Sequence, residues 1–263
     1  MWVEMIKNHI DLSESYAAAY DSEYGSIVTK NYMDYEKSRI NTAVNLLEPN
    51  SRILAVDVGC GTGRYTFELS KYFNNVIGLD FSSKMLQIAQ KNAENLQLNN
   101  IDFFNRDVST YGLGDFSFKV SMLNFAFGMG SFFEDIDYLI CEVKRVLLKS
   151  GVLHITFYNE ESFVCKLSSL IDMGVSALPL PDIEQLIVND FQIPCKFYSP
   201  IFIRQLFNSH FMEVYFSTYP SILPLIKEKA LLNPNILKFC TELDNQKSHG
   251  NNGYYISAIY KNK

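Results

Sequence analysis

The chain has no apolar run approaching the ~20 residues that a bilayer crossing requires, so no membrane contact is expected. Its first residues place Glu4 and Asp11 among short apolar runs, which argues against a secretory leader and for a cytoplasmic protein. The five cysteines (Cys60, Cys141, Cys165, Cys195 and Cys240) contain no C-x-x-C pair. No His/Cys cluster has zinc spacing either, so the thiols read as small core residues in a reducing compartment and no metal is expected. Lys and Arg are not clustered and the net charge is −6, which disfavours nucleic acid as the principal ligand. Internal repeats and low-complexity segments are also missing.

What is present describes a folded protein. Of 263 residues, 48% are hydrophobic and 20% charged, enough for a sizeable core as one domain with an appendage or as two small domains. Residues 1–50 are polar and tyrosine-rich, and there Ile40, Ala43, Val44 and Leu47 follow helical spacing up to Pro49. From Arg52 strands and helices alternate. "RILAVDV" predicts a buried strand, and after the glycines Tyr65, Leu69, Tyr72 and Phe73 share a helical face. "VIGLD" is a second strand, followed by a helix capped by Ser82 with Met85, Ala89, Ala93 and Leu96 inward. "IDFFNRD" and "FKVSMLNFAF" predict the third and fourth strands. "SFFE" (Ser131–Glu134) reads as a capping box opening a helix that "SG" closes, before a fifth strand, "VLHITFY".

After Tyr158 the rhythm breaks. Residues 159–198 read as an insertion, and "SPIFIRQLFNSHFMEVYFSTYP" with "GYYISAIYK" restores helix and strand. The expected fold is therefore α/β: a Rossmann-like, doubly wound, mostly parallel seven-stranded sheet with an antiparallel last strand. An N-terminal helical cap (1–50), a core (51–158), the insertion (159–198) and a C-terminal completion of the sheet (199–263) divide the chain.

Gly59, Gly61 and Gly63 lie between the first strand and its helix, where glycines let backbone approach a ligand and a helix N-terminus favours polar or anionic groups. The dinucleotide fingerprint G-x-G-x-x-G would need its third glycine at Arg64, and fails there. Asp80 ends the second strand, where an acid can accept both ribose hydroxyls of an adenosine. Alone it reads first as a helix cap or a solvated loop acid; coupled to the glycine turn at this separation, the ribose role leads. Doubly wound topology brings Asp57, Asp80, Asp107 and Asn124 to one crevice.

"VDVGCGTG", "VIGLDFSSKMLQIAQ", "FFNRDVS" and "SMLNFAFGMG" with "VKRVLLKSGVLHITF" resemble the class I S-adenosylmethionine-dependent methyltransferases, in order and spacing, across residues 50–158. "YAAAYDSEY" resembles an N-terminal helix of the family's small-molecule members. The resemblance implies S-adenosylmethionine as cofactor. By it, Gly59, Cys60 and Gly61 wrap the methionine part with Asp57 in support, and Asp80 holds the ribose. Phe81 and Val108 sandwich the adenine, Met85 packs nearby, and Asp107 accepts from the exocyclic amine. Asn124 faces the methionine portion and the substrate, and Tyr20 is a candidate for the carboxylate end or a core anchor. Two departures stand out: "KSG" replaces "KPGG", and "NSHF" replaces "AGF", which would make His210 a left-handed turn residue.

The acceptor implied is a small molecule, an amine, hydroxyl or carbon nucleophile, met by an aromatic region that includes Tyr24, Tyr32, Phe157, Tyr158, Phe163, Phe191, Phe197 and Tyr198. His154 reads as a satisfied buried histidine and His249 as a loop residue, so no catalytic side chain is assigned. Three other readings remain: a protein side-chain or terminal-amine methyltransferase, a nicotinamide oxidoreductase (disfavoured by Arg64), and a non-catalytic cofactor-binding regulator.

Overall fold

The computed structural model describes residues 11–15, 17–18, 20, 25–114, 119–168, 180–182, 185–188 and 191–263. Helix α1 (Ile27–Val44) is capped by the Ser26 hydroxyl and buries Tyr32, Glu36, Ile40 and Ala43 along one stripe. Strand β1 (Leu54–Val58) then leads through the glycine turn into α2 (Arg64–Leu69), β2 (Asn75–Asp80) and α3 (Ser83–Asn95). Next come β3 (Ile101–Asn105), the single turn α4 (Val108–Tyr111), β4 (Val120–Phe125), α5 (Ile136–Val146) and β5 (Leu147–Asn159). Beyond α6 (Phe163–Ser168), strands β6 (Leu180–Asp182), β7 (Gln185–Val188) and β8 (Phe191–Pro194) form a small antiparallel sheet of their own. The chain ends with β9 (Phe197–Tyr198), α7 (Pro200–His210), β10 (Phe211–Tyr219), α8 (Glu228–Leu231), α9 (Pro234–Lys247) and β11 (Tyr255–Asn262).

The main sheet runs β10-β11-β5-β4-β1-β2-β3. Strands β3, β2, β1, β4 and β5 pair in parallel, while β11 is antiparallel to both β5 and β10. Strand order reverses between β1 and β4, and the carboxyl ends of strands at such a switch point flank a crevice. The seven expected strands are joined by an eighth, β9, which pairs with the end of β5. The last residues of the 159–198 stretch therefore lie in the main sheet.

Strand parity sorts the side chains onto two faces. Val56, Val58, Leu123, Phe125, Leu153, Ile155, Phe157, Ile256 and Tyr260 face one core, shared with α5 and α7. Ala55, Met122, Val152 and Ile259 face the other, under α1 and α2. Phe157 and Tyr198 belong to the first core, where their rings meet edge-on at 5.5 Å, and so are removed from the aromatic region expected to meet substrate. Tyr24 lies outside the described residues. Among the described residues no helix is long and apolar enough to cross a membrane.

Local expectations hold where one residue's chemistry decides them. Ser82 caps α3, its hydroxyl accepting from Met85 N at 3.2 Å. Others shift. Helix α5 is capped by Asp135, because the Ser131 hydroxyl is engaged by Tyr158 N, 2.8 Å away. Leu96 and Tyr72 are exposed, since α3 and α2 end before reaching them. His210 closes α7 and passes straight into extended backbone at Phe211, so the left-handed turn expected there does not exist. All five cysteines are free thiols.

Gly253 sits where β10 and β11 converge. A Cβ there would lie 2.2 Å from Tyr219 N and 2.3 Å from Thr218 C, both backbone atoms. Gly253→Ala is expected to destabilise the fold by about 1–3 kcal/mol, read as a lowered urea midpoint with unchanged slope.

Candidate functional site

The end of β1 folds over the end of β2. Gly59 N and Cys60 N both donate to Leu79 O, at 2.8 and 2.9 Å. Gly61 N donates to Asp80 Oδ2 at 2.8 Å, while Ser82 N donates to Oδ1 at 2.9 Å. Gly59, Gly61 and Gly63 all have positive φ (70°, 53° and 96°), a conformation that side chains disfavour. At Gly59 the approach is also close: a Cβ would come 2.4 Å from Met129 Sδ. Tyr20 covers the turn at Gly61, its ring 3.7 Å from where a Cβ would stand. These contacts place the expected Tyr20, Gly59, Gly61 and Asp80 together.

Beside the turn opens a cleft of about 550 Å³, its mouth included, walled by Gly59, Asp80, Phe81, Val108, Met129 and Phe132. Phe81 and Val108 thus line the same space. Asp107 also borders the cleft, but both its oxygens are engaged at the start of α4. Oδ1 accepts from Ser109 N (3.0 Å) and Ser109 Oγ (2.6 Å), and Oδ2 from Thr110 Oγ1 (2.6 Å). Its observed work is capping the turn that presents Val108. Met85 is buried on the inner face of α3, away from the cleft wall. Cys60 packs against Gly78, and burial pushes its thiol well up, so it is an uncharged filler.

Asn124 is not where the resemblance implied. It is fully buried, its amide nitrogen donating to Asp57 Oδ1 at 2.7 Å and its amide oxygen 2.7 Å from His154 Nδ1. Register explains this: Asp57 is opposite Asn124, and Asn124 opposite His154, all on the face under α1. Burial lowers the His154 pKa to about 3, so the ring is neutral. Because Asp57 takes the Asn124 N–H, the amide oxygen must accept, which puts the imidazole proton on Nδ1. Thr66 Oγ1 donates to the other Asp57 oxygen at 2.6 Å, tying α2 to the row. Asn124 therefore positions Asp57 rather than meeting a ligand.

Sequence reasoning missed Met129, Thr156 and Glu36, which shape the loop after β4. Glu36 carried a signal: it stands four residues before Ile40, on the stripe that buries α1.

Burial raises Asp57 and Asp80 to about 6, against an ordinary 3.8. Between those values the folded chain binds protons that the unfolded chain has released. Stability from these groups is then fully present below about pH 4 and is lost as pH rises through about 6. Urea titrations of wild type and Asp57→Asn from pH 4 to 7 are expected to show a shallower decline in the variant; parallel curves would remove Asp57 from that account.

Residues 55–151 match the family model described as a methyltransferase domain. The chain is 31% identical over 134 residues to the probable S-adenosylmethionine-dependent methyltransferase CRG1 of Saccharomyces cerevisiae, covering 49% of this chain and 44% of the relative. It is 36% identical over 69 residues to the 23S rRNA (uracil(1939)-C(5))-methyltransferase RlmD of Haemophilus influenzae, covering 26% of this chain and 16% of that protein. The chain thus spans less than half the length of these curated relatives. In fold it is similar to magnesium protoporphyrin IX methyltransferase (ChlM) from Synechocystis PCC 6803 with bound SAH, at TM-score 0.58 and 14% identity over 97% of each chain. Residues 55–151, set on this sheet and this glycine turn, are therefore a methyltransferase domain.

Proposed function

We propose that the protein transfers a methyl group from S-adenosylmethionine to a small-molecule acceptor. The observation that carries the reading is the Asp80 carboxylate, joined to Gly61 N and Ser82 N at the mouth of an apolar cleft. Its oxygens accept backbone N–H groups at the start of the turn and of α3, and lone pairs beyond these can accept from a ribose hydroxyl. Phe81 and Val108 offer apolar surface suited to a purine, and the exposed backbone at Gly59 and Gly61, with the Cys60 thiol turned inward against Gly78, admits the methionine part. Bound there, the cofactor supplies an electrophilic methyl on a positively charged sulfur. The protein's part is to align that group with an acceptor and keep water out. Met129, Phe132 and Phe133 line the cleft with apolar surface that serves the second task.

A small acceptor is favoured by two features. The net charge is −6 without a Lys/Arg cluster, unlike a surface built for a phosphate backbone. The similar Synechocystis protein is named for a small-molecule acceptor.

Incubation with methyl-labelled S-adenosylmethionine and a metabolite extract is expected to put label into a low-mass product; label confined to RNA or protein would overturn the acceptor class. Asp80→Ala is expected to weaken S-adenosylmethionine binding more than tenfold, about 1.4 kcal/mol, by calorimetric titration. An unchanged affinity would sink the ribose assignment.

A further inference from the structure

The loop that follows β4 has unusual backbone. Phe127 and Gly128 are consecutive residues at positive φ (54° and 75°). For a bulky residue such as Phe127 this conformation is an outlier, and it persists only where the surroundings over-determine it. Both amides are held by side chains from elsewhere in the fold. Phe127 N donates to Glu36 Oε1 at 2.7 Å, and Gly128 N to Thr156 Oγ1 at 2.6 Å. Thr156 is itself fixed, donating to Phe125 O at 3.0 Å. At the next residue Met129 N donates to Ala126 O at 3.1 Å, which tightens the loop, and the Met129 side chain lies over Gly59.

We propose that Glu36 is a positioning residue, whose carboxylate latches the left-handed Phe127–Gly128 pair and so lays Met129 across the glycine turn. The proposal rests on reading that turn as the S-adenosylmethionine site. Glu36 is 1% exposed, on a helix whose other buried residues are apolar or aromatic apart from Thr29 near its start. A charged side chain is costly there unless its hydrogen bonds are made. The Tyr32 hydroxyl donates to the same oxygen at 2.9 Å. Those bonds satisfy one oxygen; Glu36 Oε2 and the nearby Tyr65 hydroxyl of α2 are buried without a hydrogen-bond partner among the described residues, the Arg64 charge favours the ionised carboxyl, and Tyr255 of β11 stacks on Tyr32 at 4.1 Å. The Phe127 ring is confined by the same residues: it meets Tyr32 edge-on at 5.1 Å, and Arg64 Cζ lies 5.8 Å from its centre. A neutral side chain could fill this volume; an ionised one grips the Phe127 amide more strongly.

Burial lifts the Glu36 carboxyl to about 7, with the Phe127 amide, Tyr65, Tyr32 and Arg64 pulling against it. The latch is then tight above pH 7 and loosens below it. Asp80 and Asp57, at about 6, titrate lower in the range.

The test uses the full chain. In hydrogen exchange without ligand, corrected for intrinsic rates, Glu36→Ala is expected to cut protection of the Phe127 amide more than tenfold, and Glu36→Gln to restore most of it. By calorimetry, Glu36→Ala is expected to weaken S-adenosylmethionine binding about tenfold. Wild-type affinity is expected to rise from pH 6.5 to 8 and that of Glu36→Gln to stay flat. Unchanged protection in Glu36→Ala, or the same pH step in Glu36→Gln, would overturn the latch. Should Glu36→Ala fail to fold, Glu36→Gln and the pH series decide. If the wild type binds no S-adenosylmethionine, the cofactor reading fails, and the exchange experiment still judges the latch.

Discussion

Three backbone amides, at Gly59, Cys60 and Gly61, turn the end of β1 onto the end of β2, the last of them landing on the Asp80 carboxylate. The rest of the site depends on that crossing. It brings a glycine-flanked turn of backbone, its one thiol turned inward, to the switch point of the sheet, and places one acid at its edge. The same carboxylate holds Ser82 N, so the turn, the end of β2 and the start of α3 form one rigid corner. Phe81 lies between these bonded residues, so its presence at the cleft follows from them.

Behind the turn, Asp57, Asn124 and His154 run across three adjacent strands in an otherwise apolar layer. Such a row is tolerable because its hydrogen bonds are made: Thr66 and Asn124 serve Asp57, and the His154 proton serves Asn124. Its effect is to fix the strand beneath the glycine turn against α2 without a flexible side chain in the chain of contacts. A neutral imidazole is required, which burial supplies.

Helix α1 contributes differently from the cap that its sequence implied. It lies against the sheet with Ile40, Ala43 and Val44 in the core and Tyr32 and Glu36 beside the loop after β4. The helix therefore reaches the cleft through main chain, by way of Phe127 and Met129.

The sequence by itself determined the alternation of strands and helices across residues 52–158, the glycine turn, Ser82 as a cap and Asp80 as the acid beside the turn. Each of these depends on local chemistry or on a spacing of a few residues, which a single chain displays directly. The tertiary structure alone decided that Asn124 supports Asp57, that Phe157 belongs to the far core, that Ser131 serves β5 instead of capping α5, and that Glu36 grips Phe127. Those outcomes turn on strand register and on contacts between residues 27 to 91 positions apart, and no local pattern encodes which partners such contacts will join.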